Sequence, residues 1–330
     1  MSTHPHNHTA NEEVGPVSLT KGADPSNTHS IQRAFVRDVL RRFRRIRGLI
    51  RQTVGYENDA LQLKANDDSD PVEVFDFPTD RGKVRAFIRQ LQEWLHNEVV
   101  EIDDPISINN GEHWTAEYLQ SAYVTGVQTA QGRLMSEGAS LPAYDREAIV
   151  TRPTSVRQLQ EIYTRAYENL TDITDDMAAT IRNELTDAIR DGKNPRKVAS
   201  RLNDKIQSIT NTRATTLART EVINSHANAA LRTYEDAGAD VVSHTSRMTA
   251  RDASVCPWCR RLDSVPFTLQ EFQTVTARWR GQMWRAGVPG HPNCRCTPSP
   301  ELGVSGDDLA PLEDRIPDTI RGKSVTIIDR

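Results

Sequence analysis

The chain has no stretch of 18 or more apolar residues and no apolar signal core near its N-terminus. Since a helix that spans a bilayer needs about 20 apolar residues, neither a membrane span nor a membrane partner is expected. A secretory peptide is not expected either, which favours folding in a reducing cytoplasm. The formal net charge is only −4 over 330 residues, so overall charge does not indicate a nucleic-acid-binding protein.

Cysteine is scarce and unevenly placed, because all four cysteines of the chain lie between positions 256 and 296. The segment Cys256-Pro-Trp-Cys259 is followed, after a loop, by His291-Pro-Asn-Cys294-Arg-Cys296. Two short chelating segments separated by a loop can build one tetrahedral site. Thiolate-rich ligation of this kind selects zinc over magnesium or calcium, so the sequence predicts a Zn²⁺ site.

Five candidate ligands compete for four tetrahedral positions. Both thiolates of a Cys-x-Cys pair rarely fit one tetrahedron without strain, so Cys294 or Cys296 is expected to complete the set of Cys256, Cys259 and His291. A closed set leaves no coordination position for water, which favours a structural zinc over a catalytic one. A disulfide arrangement that includes Cys256–Cys259 is the alternative.

A basic aromatic insert lies between the two ligand segments. Its residues are Arg278, Trp279, Arg280, Trp284 and Arg285. Tryptophans of such an insert either pack against the metal module or stack on nucleic acid, and packing is the commoner outcome.

Residues 31–55 are predicted to form an amphipathic helix, with apolar residues three or four positions apart from Val36 to Val54. The remaining surface is rich in arginine, with Asp38 as the opposing acidic residue. Such a face is either solvated or contacts a phosphate backbone or an acidic partner, and a membrane surface is the weakest alternative. The candidate contact residues are Arg37, Arg41, Arg44, Arg45 and Arg51.

The fold class predicted from these patterns is a mainly α-helical body with a small C-terminal α+β module stapled by zinc. Further helices are expected over 81–99, 115–136, 155–169, 174–191, 195–206 and 210–237, and strands over 241–249 and 265–268. The predicted organisation is a disordered tail (1–30), a helical N-terminal domain with the basic helix and an acidic connector (31–150), a second helical domain (151–239), the Cys/His zinc module (240–300) and a C-terminal arm (301–330). The acidic connector spans 57–80, with a short strand expected near Val72–Phe77.

The run Ala218-Arg219-Thr220-Glu221, the Asn- and Ala-rich helix after it and the ordered Cys/His segments together resemble the phage head-morphogenesis family. These are the Mu F-like minor head proteins of tailed viruses, and the resemblance covers about 150–298. Ser264 departs from the family pattern, in which glycine is expected after Leu262-Asp263.

This resemblance implies a minor head (capsid) protein of the virion, made in the host cytoplasm and located inside the head near the portal. The implied partners are the portal protein, major capsid or scaffold proteins and packaged double-stranded DNA. The implied role is head morphogenesis with genome packaging or delivery.

The chain is not expected to be an enzyme. The alternatives are a DNA-binding accessory protein, or a zinc-dependent hydrolase or nuclease. Two observations speak against the enzyme: the sequence has no His-Glu-x-x-His motif, and His226 and His244 are isolated.

Overall fold

The computed structural model describes residues 24–54, 79–140, 142, 144–191, 193–302 and 309–329. Most of the predicted N-terminal tail and nearly all of the acidic connector, with its expected strand at Val72–Phe77, lie outside the described residues. Within these residues the protein is mainly helical, with small antiparallel sheets toward the C-terminus, as predicted. Among the described residues, none of the helices has both the length and the apolar character needed to cross a bilayer.

Eleven helices are present in the described part of the chain. They are α1 (His29–Thr53), α2 (Asp80–Leu95), α3 (Pro105–Asn109), α4 (Ala116–Ser136), α5 (Arg146–Thr151), α6 (Pro153–Arg190), α7 (Pro195–Ile209), α8 (Thr215–Ala237), α9 (Pro257–Arg261), α10 (Leu269–Thr274) and α11 (Leu312–Arg315). π-Helical turns follow α2 at His96–Val100 and α7 at Thr210–Ala214.

Within the described residues of the C-terminal part, seven strands form two small sheets. They are β1 (His244–Met248), β2 (Pro266–Phe267), β3 (Thr276–Trp279), β4 (Gln282–Arg285), β5 (Thr297–Glu301), β6 (Thr319–Ile320) and β7 (Lys323–Asp329). The strand orders are β2-β1-β5 and β4-β3-β7-β6, and every pairing is antiparallel. In the first sheet β1 is central, and Ser246 pairs with Ser299 of β5.

The chain divides into two compact units. The first combines Val36–Ile108 with Arg165–Thr215, and the second combines Leu19–Phe35 and Asn109–Thr164 with Thr216–Arg330. These limits differ from the predicted domain boundaries at 150 and 239, because distant segments of the chain contribute to each unit.

In the first unit, the apolar stripe predicted for 31–55 is buried from Phe43 onward, whereas Val36 at its start is only half-buried. Phe43 and Ile50 of α1 and Phe87 and Leu91 of α2 are all fully buried. Arg42 of α1 donates a hydrogen bond to the carbonyl oxygen of Glu98 at 3.1 Å. This contact ties the polar edge of α1 to the turn that follows α2.

Helix α6 differs from the prediction, which had separate helices over 155–169 and 174–191. The structure has one continuous helix, Pro153–Arg190. The Thr171 hydroxyl donates to the carbonyl oxygen of Tyr167 at 3.1 Å, and the Thr174 hydroxyl donates to that of Thr171 at 2.8 Å. Both threonines therefore bond back to the preceding turn instead of capping a new helix.

In the second unit, α4 and α8 approach each other closely at a glycine. A Cβ atom placed on Gly126 would lie 2.3 Å from the carbonyl oxygen of His226. The hydroxyl of Ser225 donates to the carbonyl oxygen of Leu119 across the same contact at 2.7 Å. The absence of a side chain at Gly126 therefore permits this close approach of the two helices.

Part of the C-terminal arm predicted for 301–330 belongs to the second sheet. Its residues Leu312, Ile316 and Ile320 are buried, and β7 pairs with β3 inside the second sheet. Arg315 also donates to both carboxylate oxygens of Glu271, at 2.6 and 2.9 Å. The sequence alone does not indicate this pairing, because β3 and β7 are far apart in the chain.

Candidate metal centre

The first pair of candidate ligands sits at the start of a short helix. Cys256 is the N-cap of α9, with extended backbone angles, and Pro257 occupies the first helical position. The Cys256 sulfur accepts a hydrogen bond from the backbone N–H of Cys259 at 3.3 Å. This turn therefore points both sulfurs to one side, as a metal-binding knuckle requires.

The second group of ligands lies in the segment between β4 and β5. His291 and Cys294 are linked by a hydrogen bond from the Cys294 backbone N–H to the His291 carbonyl oxygen at 3.2 Å. Asn293 between them has a positive φ of 61°, a conformation that asparagine tolerates better than most residues. The resulting tight turn brings the imidazole and the thiol to the same place.

The two segments meet, as the sequence predicted. The Nε2 atom of His291 lies 3.2 Å from the sulfur of Cys256 and 3.2 Å from that of Cys259. The sulfurs of Cys259 and Cys294 are 3.9 Å apart. Two triads result, Cys256–Cys259–His291 and Cys259–Cys294–Cys296, whose ligand atoms lie within 4.8 Å of one another in each triad. Cys259 belongs to both.

The 3.9 Å between the sulfurs of Cys259 and Cys294 is close to the separation in a tetrahedral zinc site, whereas the two sulfur–nitrogen separations of 3.2 Å are shorter. Zn–S bonds of about 2.3 Å and Zn–N bonds of about 2.0–2.1 Å place neighbouring ligand atoms roughly 3.6–3.8 Å apart. The Nδ1 atom of His291 is 2.6 Å from the carbonyl oxygen of Pro292, so Nδ1–H donates there and Nε2 is the nitrogen available to a metal. All four cysteines are free thiols, so the alternative disulfide is not formed.

The ionisable groups of the cluster shift one another's pKa values. The hydrogen bond with Cys259 lowers the pKa of Cys256. The contact with Cys256 acts to raise the pKa of Cys259, but contacts with Cys294 and Cys296 and the charge of Arg247 bring it well below its ordinary value. Burial acts to lower the pKa of His291, yet its hydrogen bond with Cys259 and the nearby thiolates raise it to about 9. The site thus favours thiolate at Cys259, the form that binds metal.

Three tryptophans enclose this cluster. Trp258, Trp279 and Trp284 are each at most 1% exposed, and the Trp284 ring centroid lies 4.9 Å from that of His291. Their indole N–H groups donate to the carbonyl oxygens of Arg285, Ile320 and Trp279 respectively. The predicted packing of Trp279 and Trp284 is therefore confirmed, and neither ring is available to stack on a nucleic-acid base.

Sequence reasoning missed the arginine beside the cluster. Arg247 of β1 is 0% exposed and donates to the sulfur of Cys259 at 2.8 Å. It also donates to the carbonyl oxygen of Ala286 at 2.7 Å. No local pattern indicates this role, because the arginine lies in an ordinary strand and is far from its partners in sequence.

The Arg-Thr-Glu helix lies directly against the second ligand segment. The hydroxyl of Thr220 accepts from the backbone N–H of Asn293 at 3.1 Å, and that of Thr216 accepts from the Asn293 side-chain amide at 2.8 Å. Ser264, which replaces the expected glycine, has a φ of 61°. This left-handed conformation explains why glycine suits the position.

The candidate contact arginines of α1 belong to the first unit. Arg41 pairs with Asp38, and Arg45 pairs with Glu98 at 2.9 Å. Arg37, Arg44 and Arg51 are exposed. The proposed contact surface is thus partly neutralised by carboxylates of the same unit.

The C-terminal half of the protein combines helices and two small antiparallel sheets with a Cys/His cluster. Residues 179–299 match the sequence model of the Phage Mu protein F like protein family, which confirms the predicted resemblance to the phage head-morphogenesis family. The match covers most of the region of the predicted resemblance, 150–298. No curated protein and no solved structure matches the chain.

Proposed function

We propose that the protein is a minor head component of a tailed phage, built into the virion near the portal vertex. In this role it acts in head morphogenesis and in packaging or delivery of the genome. The observation that carries the proposal is the family match over 179–299, which contains every candidate metal ligand. Its proposed partners are the portal protein and the major capsid or scaffold proteins.

The proposed cofactor is one structural zinc ion, held by Cys256, Cys259, His291 and either Cys294 or Cys296. The meeting of the two ligand segments supports this assignment, because His291 Nε2 lies 3.2 Å from the sulfurs of Cys256 and Cys259, and Cys259 lies 3.9 Å from Cys294. Four protein ligands would leave no position for a reactive water, so the same geometry favours a non-enzymatic role over a zinc hydrolase or nuclease. The ion would fasten the short helix α9 to the segment that precedes β5.

The role in the particle is tested by mass spectrometry of purified phage. The proposal predicts the protein in mature particles and in procapsids at low copy number compared with the major capsid protein. A phage lacking the gene should form few DNA-filled heads, and expression of the intact protein in trans should restore them. Particles that contain no copies, or normal titres without the gene, would contradict the proposal.

Contact with duplex DNA is a second candidate function, favoured by a groove of the first unit. The groove encloses about 630 Å³ and is lined by Gly82, Arg85, Ile88, Arg89, Gln92 and Arg182. Its three arginines are exposed, and no carboxylate pairs with them in the part of the chain that the structure describes. Guanidinium groups held on a concave surface suit a phosphate backbone.

A salt titration separates this candidate from a merely solvated surface. Duplex binding should weaken as salt rises, and replacing Arg85, Arg89 and Arg182 with glutamine should reduce the slope of log K against log salt by about 3. The matched control replaces Arg190 and Arg201, which already pair with Asp187 and Glu184. Equal slopes in both variants would exclude the groove as the contact.

A further inference from the structure

Arg247 is a fully buried charged residue next to the thiol cluster. Its side chain is 0% exposed. One terminal nitrogen donates to the sulfur of Cys259 at 2.8 Å and lies 4.0 Å from that of Cys296. The other donates to the carbonyl oxygens of Arg285, Ala286 and Gly287 at 3.0, 2.7 and 2.5 Å. The guanidinium therefore links the ligand Cys259 to the chain that leads into His291.

No carboxylate accompanies this buried cation among the described residues, whose ion pairs do not include Arg247. A buried guanidinium without an anionic partner is strongly destabilising. The sulfurs of the cluster are the anionic groups within its reach. Three thiolates, one neutral imidazole and Zn²⁺ sum to one net negative charge, which one arginine balances, whereas four thiolates would leave an excess.

The backbone around the guanidinium leaves no room for it to move. A Cβ atom on Gly290 would lie 2.6 and 2.7 Å from the two terminal nitrogens of Arg247. A side chain at this position would therefore displace the guanidinium from Cys259. The position of the Arg247 guanidinium therefore depends on glycine at 290, although 43 positions separate the two residues (290 − 247).

We propose that Arg247 is a positioning residue of the metal centre, which balances the charge of a three-cysteine, one-histidine zinc site and orients the Cys259 thiolate. It also connects the metal to the 285–287 backbone, so that ion binding and the order of the insert are coupled. This inference rests on the proposed zinc site and adds a residue outside the ligand set.

The test measures zinc affinity by competition with a chromophoric chelator in the full-length protein. Arg247→Gln removes the charge, Arg247→Lys keeps the charge but loses the planar fork, and Arg278→Gln is the matched control, because Arg278 is exposed on β3. Loss of a group that orients a ligand typically weakens metal binding about 10–100-fold. We expect that loss for Arg247→Gln, a smaller one for Arg247→Lys and none for the control.

Cobalt(II) substitution supplies a readout that loss of packing alone would not move. Without the N–H···S hydrogen bond the Cys259 thiolate becomes a stronger electron donor, so the sulfur-to-cobalt charge-transfer band of Arg247→Gln should shift to longer wavelength. If that variant does not fold, Gly290→Ala serves instead, because it keeps the arginine and displaces it. Gly290→Ala should then weaken zinc binding and shift the same band.

The outcomes separate the two proposals. A wild-type protein that binds no zinc would overturn the metal centre itself. A wild-type protein that binds zinc, with unchanged affinity and cobalt spectra in Arg247→Gln, would overturn only the role of Arg247. Unchanged values in Gly290→Ala would do the same should the arginine variant not fold.

Discussion

Replacing Cys259 with serine should disrupt the C-terminal sheets more than any other single thiol change. Cys259 belongs to both candidate triads, it is 2% exposed, and it accepts the hydrogen bond of Arg247. The substitution therefore removes a metal ligand and the anionic partner of a buried cation at the same time.

The expected loss is comparable to the whole stability of a typical domain. Structural zinc contributes roughly 10 kcal/mol or more to the folding of small metal-binding modules. Leaving a buried guanidinium without its partner adds about 3–5 kcal/mol. Since domains are stable by only about 5–15 kcal/mol, the region around α9 and the two sheets should not remain folded in Cys259→Ser.

Tryptophan fluorescence provides the assay, because three of the five tryptophans surround the cluster. Emission should move to longer wavelength in Cys259→Ser, while far-ultraviolet circular dichroism retains most of its helical signal. Serine replacements of Cys294 and Cys296 should differ, and the milder one identifies the cysteine that does not ligate. Wild-type emission and melting temperature in Cys259→Ser would refute the reasoning.

Three further outcomes are expected. Burial lowers the pKa of His226 from 6.5 to about 4. Because the unfolded chain binds the proton first, the free energy of unfolding should fall by about 3 kcal/mol as pH falls between these values. Denaturant titrations at the two pH values should show no such fall in His226→Leu. Gly126→Ala should lower the free energy of unfolding by about 1–3 kcal/mol, because the added methyl group clashes with the His226 carbonyl. Gly132→Ala is the control, since a Cβ atom there would meet nothing within 4 Å. Equal effects of the two substitutions in thermal melts would contradict this prediction. Trp284→Ala should cost about 3–5 kcal/mol and reduce the zinc retained after dialysis, because its ring packs on His291; full retention would count against that contact.

Helical periodicity and thiol spacing made part of this structure predictable. The apolar stripe of α1 follows the helical repeat, and Asn194 with Pro195 marks the start of α7, where the Asn194 side chain accepts from the Arg196 N–H at 3.0 Å. Such signals are local, so one segment is enough to read them. The ligands of the cluster could be named for the same reason, because each group of ligands is contiguous.

Contacts between distant segments could not be predicted in this way. Trp279 pairs with Val325 in the second sheet, yet the sequence around either residue does not indicate this partner. Arg247 looks like any strand residue until the fold brings it to Cys259. The continuity of α6 depended on whether Thr174 capped a new helix or bonded back, a choice made by packing.

X-ray absorption at the zinc edge of the purified full-length protein tests the central claim most directly. The account predicts about one zinc per chain, with three sulfur ligands near 2.3 Å and one nitrogen ligand near 2.0–2.1 Å. Protein that contains no zinc after purification in metal-supplied medium, or zinc bound only by oxygen and nitrogen, would contradict it.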